Sequence, residues 1–249
     1  VPDLFRLRQE LLFKTYPVSP VRGEQSETIG LPRVLEFWDS MPFWSTFFRA
    51  LGYPVKFSRP SSRKQYESGL QYVASDTICF PAKLVHGHVL DLSKQGVDRI
   101  FLPYILHMPP ENKREKSPYV CPVIMGYSMV VRNFQSPEEH FSVDFETPVF
   151  HWFTEKDRKR QICQYAMDRC GATKQQAEEA CRQAAAAITA FRHQLAEAGK
   201  QVIADTEKTG GFAVVLAGRP YHTDPLINHD LSRMFTRRGI PVLTVDSLP

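Results

Sequence analysis

The chain has 249 residues, 43% hydrophobic and 23% charged, a balance that fits a soluble globular protein of one large domain or two smaller ones. Its net charge of +4 comes from 31 basic and 27 acidic residues dispersed along the chain, which excludes the basic stripe with interleaved aromatics of a nucleic-acid binder. No apolar run approaches the roughly 18 residues that span a bilayer, and Val1-Pro2-Asp3-Leu4 has neither a starter Met nor a signal-like core, so a cytoplasmic location and a domain boundary at the first residue are expected.

Residues 1–27 are polar apart from a short helical pattern at 4–14. Thr28-Ile29-Gly30-Leu31 is the first strong strand signal, ended by Pro32 and Arg33. An aromatic helix is predicted over 36–51, because Phe37, Met41, Trp44 and Phe48 recur on one helical face. Gly52 is placed to end it, and 54–58 reads as a second strand. A polar loop over 59–67 leads through 70–73 to Asp76-Thr77-Ile78-Cys79-Phe80-Pro81, read as a strand-to-helix junction. The apolar set Leu84, Val85, Val89 and Leu92 predicts a helix over 82–95, stopped by Gly96. Residues 98–104 read as a buried strand, 109–118 as charged surface, and 119–124 as a short apolar run leading to a short helix that ends near Asn133. From 157 to 208 the pattern is helical with a break at Gly171, and Thr173 with Gln176 has the spacing of a capping box. Strands return at 212–216 and 241–244.

One pattern occurs twice. Ile29-Gly30-Leu31-Pro32-Arg33 leads through a helix to Gly52-Tyr53-Pro54-Val55, and Leu216-Ala217-Gly218-Arg219-Pro220 leads through a helix to Gly239-Ile240-Pro241-Val242. A recurring strand–helix–strand unit with short turns implies parallel strands and right-handed crossovers. The predicted fold is α/β, with Rossmann-like parallel sheets, flanking helices and two similar halves, the second truncated. The expected division is a first α/β domain with an N-terminal extension over 1–150, a helical connecting segment over 151–210 and the start of a second α/β domain over 211–249.

Five cysteines, an odd number in a chain of this length with no C-x-x-C pair, argue against a disulfide framework and a self-contained zinc ribbon. Cys79 and Cys121 each precede a proline that suits a first helical turn. For Cys79, a thiol there faces unpaired N–H groups and the positive end of the helix dipole, with Lys83 one turn on, which favours metal binding or nucleophilic attack. Cys79 is equally compatible with simple burial, and Cys121 ends a short apolar run with Pro122 following at once. If both lie at strand ends they share the rim where open α/β sheets bind ligands. Cys163, Cys170 and Cys181 lie in the helical region and read as packed residues. His86 and His88 read as packed residues too, with a zinc role beside Cys79 as the alternative. Arg33 and Arg219 occupy matching loops suited to phosphate or carboxylate, and His222 follows in the second of them. No Walker loop, G-x-G-x-x-G or G-x-S-x-G occurs, so no ATP-hydrolysing machinery is expected in this stretch.

The runs Ile29-Gly30-Leu31-Pro32-Arg33-Val34-Leu35, Pro42-Phe43-Trp44-Ser45-Thr46-Phe47-Phe48, Cys79-Phe80-Pro81-Ala82-Lys83-Leu84-Val85-His86-Gly87-His88, Gly218-Arg219-Pro220-Tyr221-His222 and Asp224-Pro225-Leu226-Ile227-Asn228-His229 resemble the activator-related branch of the 2-hydroxyacyl-CoA dehydratase family. The resemblance implies a fragment of a larger protein that carries an ATP-hydrolysing activase module, in the same chain or as a partner, and that acts in low-potential electron transfer to a CoA-thioester-type substrate. It implies a [4Fe–4S] cluster held by three cysteines, with Cys79 and Cys121 as the first two and the third beyond Pro249. The alternative is a non-catalytic docking scaffold or a zinc-stabilised domain. No nucleic acid or membrane partner is expected.

Overall fold

The computed structural model describes residues 1–107 and 120–249; the charged surface expected at 109–118 and the Tyr119 that starts the next apolar run lie outside the described residues. The chain opens with helix α1 (Leu4–Leu12), whose N-cap Asp3 accepts from the Phe5 and Arg6 amides. Then come β1 (Ile29–Leu31), α2 (Phe37–Ala50), β2 (Val55–Phe57), α3 (Arg63–Gly69), α4 (Phe80–Lys94), β3 (Arg99–Phe101) and β4 (Tyr104–His107). Next are α5 (Pro122–Val130), α6 (Pro137–Phe141), β5 (Asp144–Glu146) and β6 (Val149–His151). The antiparallel pair α7 (Glu155–Cys170) and α8 (Lys174–Lys208) leads to β7 (Val214–Leu216), α9 (Leu231–Thr236) and β8 (Val242–Thr244).

The main sheet is four-stranded and parallel, in the order β2-β1-β3-β5. Pro103 and Pro148, which cannot donate to a ladder, split two of its strands at the same height. β4 and β6 continue β3 and β5 beyond them, bridged by the Tyr104 amide donating to the Pro148 carbonyl at 2.9 Å. β7 and β8 form a second parallel pair. The expected α/β class with parallel sheets and flanking helices is therefore what the chain adopts, and both strand–helix–strand repeats pair in parallel as the sequence echo requires. The N-terminal segment belongs to the second pair: the Val242 amide donates to the Pro2 carbonyl, and α1 packs on β8 and α8.

Helix α2 differs from its one-faced sequence pattern. Phe37, Met41, Trp44 and Phe48 are buried as expected, but so are Trp38, Phe43 and Phe47 on the other faces. The helix lies between the sheet and α8, so it is apolar all round. Trp44 stacks on Phe150 and tilts against Phe101 at a 4.7 Å centroid distance, at the centre of the core.

The break expected at Gly171 is real: it takes φ 61° as the left-handed C-cap of α7, and the Thr173–Gln176 capping box starts α8. Two strands, β5 and β6, and helix α3 were not anticipated. The strand expected to lead into Cys79 is absent: Leu70–Tyr72 is a 3-10 turn. The Ile78 amide folds back onto the Ser75 carbonyl, and the Ser75 hydroxyl bonds Thr77. Short polar side chains take up the backbone there and turn it instead of extending it.

Candidate functional site

A helix that links parallel strands must run back against them, so its N-terminus lies at the carboxyl rim of the sheet. α4 and α5 both do this. Cys79 is the N-cap of α4 and Cys121 the N-cap of α5, each followed at once by the first turn with its proline. Both thiols stand at helix starts, and the strand expected to lead into Cys79 is instead a turn. Cys79 is exposed and Cys121 half-buried.

Tyr221 connects them. It sits in the 3-10 turn Pro220–Thr223 of the second half, buried against the first. Burial pushes its phenol above the usual tyrosine value; the Arg219 charge opposes this, and charge on Cys121 and Cys79 adds to it. Both thiols therefore lie within electrostatic reach of one hydroxyl.

Beside Cys121 is a cavity of about 490 Å³ lined by Leu35, Glu36, Asp39, Ser40, Ile105, Cys121, Arg219 and Tyr221 among others. From β1 the main sheet runs to β2 on one side and β3 on the other, so this cavity opens at the topological switch point. Glu36 is the residue that sequence reasoning missed. Its Oε2 accepts from the Ser40 hydroxyl at 2.7 Å, while Oε1 is sealed from solvent with no hydrogen-bond partner. Burial, reinforced by Asp39 and opposed by Ser40 and Arg158, pushes the carboxyl up to about 7, so it exchanges a proton near neutrality.

A second cavity of about 760 Å³ shares Asp39, Arg219 and Pro220 with the first and opens at the carboxyl ends of β7 and β8. His222 lines it, and its Nδ1 accepts from the Arg219 amide at 3.1 Å. Gly218 is required there, because a Cβ would stand 2.5 Å from that nitrogen. Burial and the Arg219 charge lower the His222 pKa, so the ring is neutral at pH 7. Arg219 thus stands on both cavities. Arg33 stands on neither: its guanidinium lies 3.9 Å over the Phe13 ring, and its Nε is buried without a partner.

Both histidines of α4 are buried and engaged. His86 Nε2 accepts from the Tyr127 hydroxyl and Nδ1 donates to Gln135 Oε1, each at 3.0 Å. With both nitrogens taken, His86 is not a ligand beside Cys79. His88 Nδ1 accepts from Ser58 at 2.7 Å and Gln65 at 3.1 Å, and its Nε2 donates to the Ser61 hydroxyl at 3.0 Å. Ser61 in turn donates to Asp224, a buried carboxylate of the second half, so this chain of polar groups ties the two rims together.

The family model described as CoA enzyme activase uncharacterised domain (DUF2229) matches residues 28–248. The chain belongs to this family. No match was found among curated proteins or solved structures. A CoA enzyme activase domain belongs to an enzyme-activation context, and no helix among its described residues is long and apolar enough to cross a membrane. Its donor set can be weighed against the expected cluster. Among the described residues of this activase domain, no group of three or more His, Cys, Asp or Glu side chains is arranged to hold a metal ion. Cys79 and Cys121 supply two thiols at one rim, short of the set that cysteine-bound clusters use.

Proposed function

We propose that this CoA enzyme activase domain is the redox module of a protein of the 2-hydroxyacyl-CoA dehydratase type, acting with an ATP-hydrolysing activase module on a CoA-thioester-type substrate. Cys79 and Cys121 contribute two thiolates to a [4Fe–4S] cluster whose remaining ligation comes from outside the described residues. When bound, the cluster would supply one low-potential electron. The reading is supported by two helix-capping thiols within electrostatic reach of Tyr221, with Cys121 and Tyr221 in the wall of a cavity at the switch point of the sheet.

The chain's own residues have complementary tasks. Leu35 and Ile105 give the cavity an apolar wall for an acyl group. Arg219 offers its guanidinium to a carboxylate or phosphate. Glu36 gives or takes a proton at Oε1, which has no other partner. The test is iron and acid-labile sulfide analysis of the protein at its natural length, purified without air. The reading expects a brown protein with stoichiometric iron and sulfide, lost in Cys79→Ala and in Cys121→Ala. A colourless protein, or metal content indifferent to both substitutions, would overturn it.

A further inference from the structure

We infer that Cys163 and Cys181 form a reversible disulfide that clamps the α7–α8 hairpin, a modification site separate from the rim. The two sulfur atoms lie 3.5 Å apart across the antiparallel pair. A disulfide needs about 2.05 Å, so closure brings the two sulfur atoms about 1.5 Å closer. No third metal-ligating side chain joins them among the described residues.

A small disulfide has a way in. Cys181 forms part of the wall of an open cavity of about 500 Å³, whose lining carries Arg158, Lys159, Arg182 and Arg192 against Glu155 and Glu178. That excess of cations favours an anionic co-reactant such as oxidised glutathione. Cys163 accepts the Cys181 thiol proton, and Lys159 and Lys174 add positive charge, so its pKa is lowered while that of Cys181 is raised. Cys163 is therefore the more acidic thiol of the pair.

The exchange balances. One protein thiolate attacks the small disulfide, forming a mixed disulfide and expelling one small thiol. The second, after losing its proton to solvent, attacks the protein sulfur of that mixed disulfide and expels the other small thiol. Two protein thiols are oxidised and one small disulfide is reduced to two thiols. The product joins α7 to α8, the helix that packs along α2 and so supports the Glu36–Ser40 turn of the cleft.

Cys170 is the internal control: it is buried, bonds no other thiol, and is pushed up to about 11 by burial. The experiment treats the reduced 249-residue chain with oxidised glutathione, alkylates remaining thiols after denaturation, and maps peptides by mass spectrometry. The expected result is a peptide linked through Cys163 and Cys181, with Cys170 still alkylated. The Tm should rise by about 5 °C or more through closure of the loop, and dithiothreitol should reverse it. Cys163→Ser and Cys181→Ser should each abolish link and rise. Recovery of Cys163 and Cys181 as separately alkylated thiols, under conditions that convert the exposed Cys79, would overturn the proposal.

Discussion

Arg8 Nη1 donates to the carbonyl oxygen of Trp38 at 2.7 Å. That acceptor is free because Pro42, one turn further along α2, has no N–H to give it. The same guanidinium pairs through Nε with Asp246 at 2.7 Å and through Nη2 with Asp39 at 3.4 Å. One almost fully buried arginine of α1 thus bolts the start of α2 to the end of the second parallel pair, and the shared cleft lies beside it.

Arg8→Met, which keeps the apolar stem and removes the fork, is expected to cost about 2–4 kcal/mol of stability. Hydrogen exchange should distinguish this from general loosening. Amides of β7 and β8 should exchange faster while those of β1 and β3 change little. Uniform acceleration would show that Arg8 does not bolt the halves.

The buried histidines predict acid sensitivity. Burial lowers His88 to about 3, with Arg33 adding to the effect, and lowers His86 to about 4, with the Gln135 hydrogen bond opposing. The unfolded chain binds these protons below the ordinary histidine value and the fold refuses them, so stability is full above about 6.5 and falls as pH drops towards 4. Unfolding free energies from urea titrations at pH 7.5 and 5 should differ by about 1–3 kcal/mol. The His86→Gln, His88→Gln double variant should show a flatter profile.

Glu36 has the opposite sign. Its folded value, raised to about 7, means that the fold holds a proton which the unfolded chain releases from about 4.5 upwards. Stability is lost as pH rises through that window. Glu36→Gln should therefore gain about 1–2 kcal/mol at pH 8, allowing for the residue's partial exposure, and gain nothing at pH 4.5. Equal effects at the two pH values would mean that the carboxyl is not sealed.

Close helix approach sets the His88 network. A Cβ at Gly87 would stand 2.3 Å from the Gln65 carbonyl oxygen of α3, whereas one at Gly126 of α5 would meet nothing nearer than 3.8 Å. Gly87→Ala should cost about 2–4 kcal/mol by forcing α3 away and breaking the Gln65–His88 bond. Gly126→Ala should be neutral or stabilise by up to about 1 kcal/mol. Thermal unfolding of the two variants side by side is the measurement.

Local pattern made much of the fold legible. The aromatic periodicity of 36–51, the Gly171 break, the Thr173–Gln176 box and the two strand–helix–strand echoes are each specified by residues near one another in sequence. β5 and β6 escaped notice because Pro148 interrupts the run they would otherwise form. The helix starts at Cys79 and Cys121 are marked by proline in the first turn of each, whereas the strand expected before Cys79 is a turn, because Ser75 and Thr77 fold the backbone there. Glu36 could not be found this way. A glutamate beside a helix N-terminus reads as surface, and the residues that wall its cavity, Ile105, Cys121 and the 219–221 turn among them, come from distant parts of the chain. The Arg33–Arg219 match in sequence likewise did not become a shared site, because Phe13 holds Arg33 aside.

A cross-linking measurement decides whether the two rim thiols address one space. In a variant with Cys163, Cys170 and Cys181 replaced by Ser or Ala, only Cys79 and Cys121 remain. Treatment with a short bis-maleimide should give an intramolecular Cys79–Cys121 link as the main product, seen as one bridged peptide pair, and urea should suppress it. Two independent single adducts in the folded chain would contradict the placement of both thiols within reach of Tyr221.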